Sequence, residues 1–274
     1  MKKVLLAFDG PHFSEGAFEF ARRLNEYHPI LLVGVFLPQL SYASFGTVGG
    51  PTPPPLYLPL VEDFNREATE ISIEQFGQRC IKNGIEFRIH EDFYDFGLPE
   101  LKKETRFADL LILGSESFYK NMGTEKLNDY LQIALHSAEC SAVVVPEKFA
   151  YPETNILAYN GSESSVFAIK QFAYLFPEFC KSKTLLVTAG YDSGEGLPDE
   201  QFIEEFVSRH FPDLSILSLE IDPKRYFSTW MMERENAILV AGAFGRSSVS
   251  QLFKKSFVSD IIRDHMLPVF IAHH

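Results

Sequence analysis

Residues 236–246 read Asn236-Ala-Ile-Leu-Val-Ala-Gly242-Ala-Phe-Gly245-Arg246, and this stretch decides how the whole chain is interpreted. An apolar run that ends at glycines and leads into a polar loop is typical of α/β proteins that present backbone N–H groups to a phosphate. The loop continues to Ser256 and is followed by a second apolar run, Leu267–Ala272. We therefore predict a buried strand, an anion-binding loop and a further strand.

The same alternation of apolar runs and helical patterns extends upstream. Val4–Phe8 and Ile30–Phe36 are continuous apolar runs, which suit strands that are buried on both faces of a parallel sheet. Between them, Ser14 precedes apolar residues at helical spacing: Ala17, Phe20, Ala21 and Leu24. Because strands and helices alternate along the chain, we predict α/β architecture with doubly wound parallel sheets.

The pattern occurs twice, and three pairs of segments carry the repeat. They are Val4–Gly10 with Asn155–Gly161, Leu110–Gly114 with Ala237–Gly242, and Ala142–Val145 with Leu267–Ala272. We therefore predict a tandem duplication, with domains 1–149 and 150–274 that meet at the short linker Phe149–Glu153.

Two predicted helices have a defined inner face. In the first half the inner residues are Val61, Phe64, Ala68 and Ile71, and the helix ends at Asn83-Gly84. In the second half the helix spans Ser164–Phe176, and its inner residues are Val166, Ile169, Phe172 and Ala173.

The segment Leu37–Pro59 has an unusual composition, with Gly49-Gly50 and the run Pro51-Thr-Pro-Pro-Pro55. Because proline is excluded from sheet interiors, we expect an irregular excursion. It is either a surface connection packed by its own aromatic residues, or a lid or partner-binding arm.

Composition excludes several classes of function. The chain has 37 acidic and 25 basic side chains, a formal net charge of -12, so we do not expect a nucleic-acid partner. Its three cysteines have no CxxC spacing, which argues against a zinc site and for a reducing compartment. With no signal-peptide pattern and no apolar stretch of membrane-spanning length, we predict a cytoplasmic protein without a membrane partner.

Several short motifs together resemble the universal stress protein family. Gly242-Ala-Phe-Gly245, nine further residues and then Lys255-Ser256 resemble its nucleotide-binding signature, in which two Gly residues are followed by Gly and Ser or Thr. Asp9-Gly10 and Asn160-Gly161-Ser162 match the family's Asp-Gly-Ser turn after the first strand. The resemblance covers both halves of the chain.

The resemblance implies two five-stranded parallel sheets, each with strand order 3-2-1-4-5. Family members commonly pair through their fifth strands in antiparallel fashion. In a tandem chain this contact would form an intrachain pseudo-dimer, with Ala142–Val145 beside Leu267–Ala272, and the chains could in turn form a homodimer. Ligands of such open sheets lie in the crevice between strands one and four.

The second half carries more of the implied site. Gly242 and Gly245 would let the backbone approach a phosphate, Ser256 would lie at a helix N-terminus, and Arg246 and Lys255 add positive charge. Lys255 replaces the last Gly of the signature, and Asn160 replaces the Asp of the turn. The implied ligand is ATP or ADP, with or without Mg²⁺, and the alternative is a tight turn with a solvated basic rim and no ligand.

The first half keeps Asp9, which in the family would accept hydrogen bonds from adenosine. Alternatively, Asp9 caps the helix that starts near Ser14 or ties the turn. Its loop reads Gly114-Ser-Glu116-Ser117, so Ser replaces the second Gly and Glu116 places a negative charge where phosphate would lie.

Two functions remain in view. The first is a non-catalytic, nucleotide-binding regulatory protein of the stress response, and the second is a ligand-free scaffold that acts through protein association. No HExxH, GxSxG, complete P-loop or GxGxxG motif is present, so we predict no catalytic residues and no metal site, with slow ATP hydrolysis left open.

Overall fold

The computed structural model places most of the chain in a single mixed sheet with helices on both faces. It describes residues 1–9, 12–37, 41–44, 57–60, 66–91, 97–116, 118, 129–189, 197–219, 227, 229–231, 233–234, 236–242, 257–264 and 266–272.

The strands of the first half include the four that apolar runs predicted. They are β1 Lys2–Phe8, β2 Ile30–Phe36, β3 Ser41–Ser44, β4 Tyr57–Leu60, β5 Glu86–Glu91, β6 Leu110–Gly114 and β7 Ser141–Val145. Those of the second half are β8 Thr154–Ala158, β9 Lys183–Ala189, β10 Leu214–Leu219, β11 Ala237–Gly242 and β12 Val269–Ala272.

Helices connect the parallel strands. They are α1 Glu15–Tyr27, α2 Arg66–Lys82, α3 Gly97–Thr105, α4 Asp129–Ser137, α5 Glu163–Leu175, α6 Glu200–His210 and α7 Phe257–Arg263. A serine caps the first helix of each half: Ser14 Oγ accepts from the Ala17 N–H, and Ser162 Oγ accepts from the Ser165 N–H.

Ten strands form one sheet in the order β10-β9-β8-β11-β12-β7-β6-β1-β2-β5. Numbered within its own half, each set of five strands has the order 3-2-1-4-5, which confirms the expected doubly wound topology in both halves. All neighbours within a half are parallel. The single antiparallel pair of this sheet, β7 with β12, joins the halves as the resemblance implies.

The apolar core forms two layers, one on each face of the sheet, and each layer draws residues from both halves. Phe20 and Phe172 belong to one layer, and Leu111 and Leu239 belong to the other. The predicted inner face of α1 is confirmed, because Ala17, Phe20, Ala21 and Leu24 are all buried. The continuous sheet therefore gives the two halves a shared core.

The Pro-rich excursion differs from the expectation of irregular structure. Residues 41–44 and 57–60 pair as a two-stranded antiparallel ribbon, with Tyr42 opposite Pro59. A strand in such a ribbon has a free edge, so proline can take part there without breaking a ladder on both sides. Residues 38–40 and 45–56 lie outside the described part of the chain, which leaves the lid and surface-connection alternatives untested.

Two predicted helix faces need correction. Ile71 is 59% exposed, and the buried residues of α2 include Thr69, Phe76 and Cys80 instead. Val61 and Phe64 lie outside the described residues. In α5, Val166 is 36% exposed, whereas Ile169, Phe172 and Ala173 are buried as predicted. In both cases the apolar spacing correctly predicted a helix. Which side of the helix is buried, however, depends on the neighbouring helix.

The predicted end of α2 at Gly84 is confirmed. Gly84 has a φ of 63°, the Ile85 N–H donates to the Cys80 carbonyl at 3.0 Å and the Gly84 N–H donates to the Ile81 carbonyl at 3.2 Å. This pair of bonds is the glycine-dependent C-terminal motif that satisfies the last free carbonyls of a helix.

Among the described residues, no helix is both long and apolar enough to cross a membrane.

Candidate functional site

Two residues of the predicted site, Asn160 and Gly242, follow or end the adjacent strands β8 and β11 at the carboxyl end of the second-half sheet. Open α/β sheets bind ligands at this place, because the connections on either side leave in opposite directions. Of the predicted residues, Asn160 and Gly242 are described, and both lie next to the N-terminus of α5. Gly245, Arg246, Lys255 and Ser256 lie outside the described residues.

Gly242 brings the end of β11 against the first turn of α5. A Cβ atom at this position would lie 2.4 Å from the carbonyl carbon and oxygen of Ser164 and 2.7 Å from the Ser165 nitrogen. Gly114 has the same role in the first half, since its Cβ would lie 2.5 Å from Ser14 Oγ. Close helix–strand packing is thus sufficient reason for both glycines, apart from any ligand.

Asn160 forms a turn with its neighbours. Its Oδ1 accepts from the Ser162 N–H at 3.1 Å and from the Ser162 hydroxyl at 2.6 Å, and Gly161 follows it with a φ of 76°. The side chain is exposed, and its Nδ2 has no hydrogen-bond partner among the residues that the structure describes. Asn160 therefore ties the turn through its oxygen and presents an amide donor at the surface.

In the first half, the Asp9 carboxylate is buried and contacts His12. His12 Nδ1 lies 3.0 Å and 3.1 Å from the two Asp9 oxygens, and the Asp9 side chain is fully buried. The side-chain cap of α1 comes from Ser14, whose oxygen accepts from the Ala17 N–H. Burial against an imidazole is the ordinary way to satisfy such a carboxylate.

The N-terminus of α1 is filled by the chain itself. The Gly16 N–H donates to Glu147 Oε2 at 3.1 Å, and the Glu147 N–H donates to Glu116 Oε2 at 2.7 Å. Ser115 Oγ donates to the same Glu116 oxygen at 3.1 Å. Because an anion at a helix N-terminus is favoured by the helix dipole, Glu147 takes the position that a phosphate would need. Sequence alone identified Glu116 as unfavourable but missed Glu147.

The second half differs at the corresponding position. Ser164 matches Gly16, since each is the second residue of its helix, and the Ser164 N–H has no acceptor among the described residues. Strand pairing matches Gly114 and Val145 with Gly242 and Ala272, so Glu147 corresponds in sequence to His274, which is not among the described residues.

A second feature of the second half was not predicted. The surface between α5 and α6 holds an open groove with a cavity volume of about 330 Å³. Its lining residues are Tyr159, Val166, Asp199, Phe202, Ile203 and Phe206. Single-sequence patterns contain no signal for it, because its walls come from separate helices. Among the described residues, no group of three or more His, Cys, Asp or Glu side chains could hold a metal ion.

Comparison with known proteins supports the fold alone. No family model and no curated protein matches the chain. A universal stress protein from Archaeoglobus fulgidus DSM 4304 superposes with a TM-score of 0.69 at 14% identity, covering 100% of this chain and 96% of that one.

Two proteins from Pseudomonas aeruginosa are also similar. One from strain PAO1, described as functionally unknown, has a TM-score of 0.58 at 12% identity and covers 100% and 92% of the two chains. A proposed universal stress protein from strain UCBPP-PA14 has a TM-score of 0.57 at 11% identity, with 100% and 93% coverage. The chain therefore has the tandem fold of a universal stress protein along its whole length.

Proposed function

We propose that this chain is a tandem universal stress protein, a cytoplasmic, non-catalytic regulator of the stress response that binds ATP or ADP through its second half. Its domains would be residues 1–149 and 150–274. The binding residues would be Asn160, Gly242, Gly245, Arg246, Lys255 and Ser256, with Mg²⁺ as an accompanying ion of the phosphates.

The difference between the two helix N-termini carries this proposal. Glu147 accepts the Gly16 N–H at 3.1 Å, whereas the matching N–H of Ser164 has no acceptor among the described residues. Backbone N–H groups at this point of an α/β sheet are the usual partners of a phosphate. The Arg246 and Lys255 side chains of the neighbouring loop supply positive charge in an otherwise acidic sequence.

Calorimetry with ATP and ADP tests the proposal, together with mass spectrometry of small molecules released from protein purified without added nucleotide. We expect one nucleotide per chain, because the first-half position is taken by Glu147. Absence of binding at millimolar nucleotide would reject the proposal, and two nucleotides per chain would contradict its restriction to the second half.

A Gly245→Glu substitution should weaken nucleotide binding by at least about tenfold, since it puts a carboxylate beside the phosphates. The matched control is Ser117→Glu, which makes the same change at the corresponding loop position of the first half. Nucleotide affinity should be unchanged in the control. Equal loss in both variants would indicate a general effect on folding instead of a local site.

A ligand-free scaffold is the second candidate, and two observations favour it. Gly242 is needed for packing against Ser164, and the Asn160 oxygen is already bound to Ser162. In this case the protein would act through association with other proteins, and the purified chain would carry no nucleotide. Stoichiometric nucleotide in the purified protein would eliminate this candidate.

A further inference from the structure

The two halves have the same topology, but they differ sharply at the contact between their first two helices. In the second half this contact is the open groove between α5 and α6, with a volume of about 330 Å³. In the first half the corresponding contact, between α1 and α2, is filled by the chain's own side chains. The side chains that fill the first-half contact therefore indicate what kind of ligand the second-half groove can hold.

Aromatic rings fill the first-half contact. Phe13 stacks on Phe8 with ring centroids 5.1 Å apart, and it also contacts Phe18 at 5.7 Å. Phe18 is almost completely buried and meets Phe76 of α2 edge-on at 6.3 Å. These rings occupy the space between the two helices.

A guanidinium group covers these rings. The Arg79 Cζ lies 4.9 Å from the Phe13 ring centroid and 5.7 Å from that of Phe18. Both of its terminal nitrogens donate to the Glu15 carboxylate, one of them at 2.6 Å, and Gln75 donates to the same carboxylate at 3.2 Å. The first half thus combines stacked rings, a cation above them and a carboxylate that pairs with the cation.

The two rings that fill the first-half contact, Phe13 and Phe18, are not matched by a ring at the equivalent places of the second half. Phe13 directly precedes the cap residue Ser14, and Gly161 directly precedes the cap residue Ser162. A side chain cannot replace Gly161, because its φ is 76° and its Cβ would lie 2.6 Å from the Pro198 Cβ.

The other counterparts follow from helix position. Phe18 and Val166 are both the fourth residue of their helices. On α2, Gln75 and Arg79 precede the buried pair Phe76 and Cys80, and on α6, Phe202 and Phe206 precede the buried pair Ile203 and Val207. At these equivalent positions the second half has neither the two filling rings nor the covering cation.

The described residues around the groove include aromatic side chains and carboxylates, and these carboxylates have no cationic partner in the described part of the chain. Tyr159, which corresponds to Phe8, has no ring contact among the described residues, and Phe202 is 74% exposed. Asp199 lines the groove, and its side chain makes no capping hydrogen bond. Burial and the nearby Asp199 carboxylate raise the pKa of the Tyr159 hydroxyl, which donates to the Pro198 carbonyl at 2.7 Å.

The carboxylate that holds Arg79 in the first half also has a counterpart. Glu163 corresponds to Glu15 as the first residue of its helix, and it lies one turn before Val166 on the same face. Glu163 is exposed and has no ion pair among the described residues. Among the described residues, no cation pairs with Asp199, which lines the groove, or with Glu163, which lies one turn from the lining residue Val166.

We propose that the α5–α6 groove is a binding site for a small organic cation that carries an aromatic ring. The ring would stack against Phe202 and Phe206, next to the buried ring of Tyr159, in the space that Phe13 and Phe18 fill in the other half. The cationic group would lie near Asp199 and Glu163, as the Arg79 guanidinium lies near Glu15. This site is separate from the proposed nucleotide loop and does not depend on it.

The size and charge of the groove fit this class of ligand. Its volume lies at the lower end of the range for small-molecule sites, which suits a single ring with a short arm. A net charge of -12 also raises the local concentration of cations and disfavours anions in this groove. An adenine nucleotide, with its negative phosphates, would therefore be a poor occupant here.

The test uses the full chain and 2-phenylethylammonium as the probe. Calorimetry should give a Kd on the order of 1 mM, as expected for about nine non-hydrogen atoms. The Val166 methyl resonances should shift with the same saturation curve. The neutral analogue 2-phenylethanol has the same number of non-hydrogen atoms and should bind about fivefold more weakly, because exposed charge pairs contribute little each.

Two substitutions convert the groove toward the first-half arrangement. Val166→Phe adds the ring that Phe18 provides, and it should weaken probe binding by at least about tenfold. Phe206→Arg adds the cation that Arg79 provides next to Glu163, and it should have an effect of similar size. The control is Glu204→Gln, an exposed charge on α6 that does not line the groove, and its affinity should match that of the unmodified protein.

Milder variants keep the test valid if a groove variant folds poorly. Asp199→Asn and Glu163→Gln change exposed side chains, and each should weaken the ammonium probe about two- to fivefold without changing the affinity for 2-phenylethanol. Three results would overturn the proposal. They are no saturable binding of the ammonium probe, equal affinity for the alcohol, and undiminished binding by the folded Val166→Phe protein.

Discussion

Val143 and Phe270 lie directly opposite each other in the antiparallel strand pair that joins the two halves. Both side chains are fully buried. Phe270 also meets Phe172 edge-on at 5.3 Å and Phe176 at 5.7 Å, so the joining strand belongs to the core of its own half as well. The junction is therefore a continuation of the core and not a surface contact between separate units.

Truncation of Phe270 should destabilise the whole chain. We expect Phe270→Ala to lower the free energy of unfolding by about 3–5 kcal/mol, because it opens a cavity where the two halves meet. Urea denaturation followed by circular dichroism measures this change. Phe202→Ala is the matched control, since Phe202 is 74% exposed and its loss should cost less than about 1 kcal/mol. A separate transition in which the first half stays folded would contradict the shared core.

Glycine substitutions should separate backbone strain from packing. Gly84→Ala adds a methyl group in open space at a φ of 63°, and it should cost about 1 kcal/mol. Gly242→Ala adds a methyl group 2.4 Å from the Ser164 backbone, and it should cost about 3 kcal/mol because α5 must move. Thermal unfolding compares the two. Equal costs would show that the contact between β11 and α5 is looser than described.

Glu147 should stabilise the first half as an internal anion. Glu147→Ala removes the acceptor of the Gly16 N–H, and we expect a loss of about 1–2 kcal/mol in unfolding free energy. Glu147→Gln keeps a hydrogen-bond acceptor but removes the charge at the helix N-terminus, so its cost should be about 0.5 kcal/mol. Denaturant titration of both variants measures these changes in unfolding free energy. An alanine variant as stable as the parent protein would refute the role of this contact.

The two buried cysteines, Cys80 and Cys180, should be unreactive in the folded protein. Burial raises the pKa of Cys80 and of Cys140 to about 12, and that of Cys180 to about 11. At pH 8 the thiols therefore stay protonated, and alkylation of the buried Cys80 and Cys180 by iodoacetamide should require unfolding, whereas the partly exposed Cys140 is not a test of burial. Mass spectrometry of native and urea-treated samples measures this. Rapid labelling of Cys80 in the native protein would contradict its burial.

Because the pKa values of the three thiols are raised in the folded protein, the free energy of unfolding should decrease at alkaline pH. An unfolded thiol loses its proton near its ordinary pKa of 9.0, while the folded thiols keep theirs. The stabilisation is fully present below pH 9 and is lost as the pH rises toward the folded values, because deprotonation favours the unfolded chain. A variant with all three cysteines changed to alanine should lose less stability between pH 9 and pH 11.

Much of the fold could be predicted from the sequence. Continuous apolar runs such as Ile30–Phe36 identify strands buried on both faces, and the structure confirms that strand with the same bounds. Ser14 with its helical apolar pattern identified α1, and Gly84 identified the end of α2. These signals are local, since strand burial, capping and positive φ each depend on only a few neighbouring residues.

The failures concern contacts between elements. The sequence pattern pointed Ile71 and Val166 inward, but Ile71 is 59% exposed and Val166 is 36% exposed. An apolar residue on a helix does not reveal which neighbour will cover it, because helix packing sets that direction. Among the described residues no side chain fully covers Val166, and the space left beside it is the groove between α5 and α6.

The candidate site shows the same division. Gly242 and Asn160 were predicted from motif positions, and the structure brings both to the N-terminus of α5. The carboxylate of Glu147, 131 residues from Gly16 along the chain, could not be linked to that helix from the sequence. Only the packing of β7 beside β6 brings the two together.

The sequence by itself determined the tandem repeat, the parallel strands and the end of α2 at Gly84, because these depend on periodicity and local backbone chemistry. The tertiary structure decided which helix N-terminus is filled and which helix pair is left open. Glu147 reaches Gly16, and Arg79 covers Phe13 and Phe18, only because distant segments are packed together. The two halves share one fold, and long-range side-chain contacts make them different.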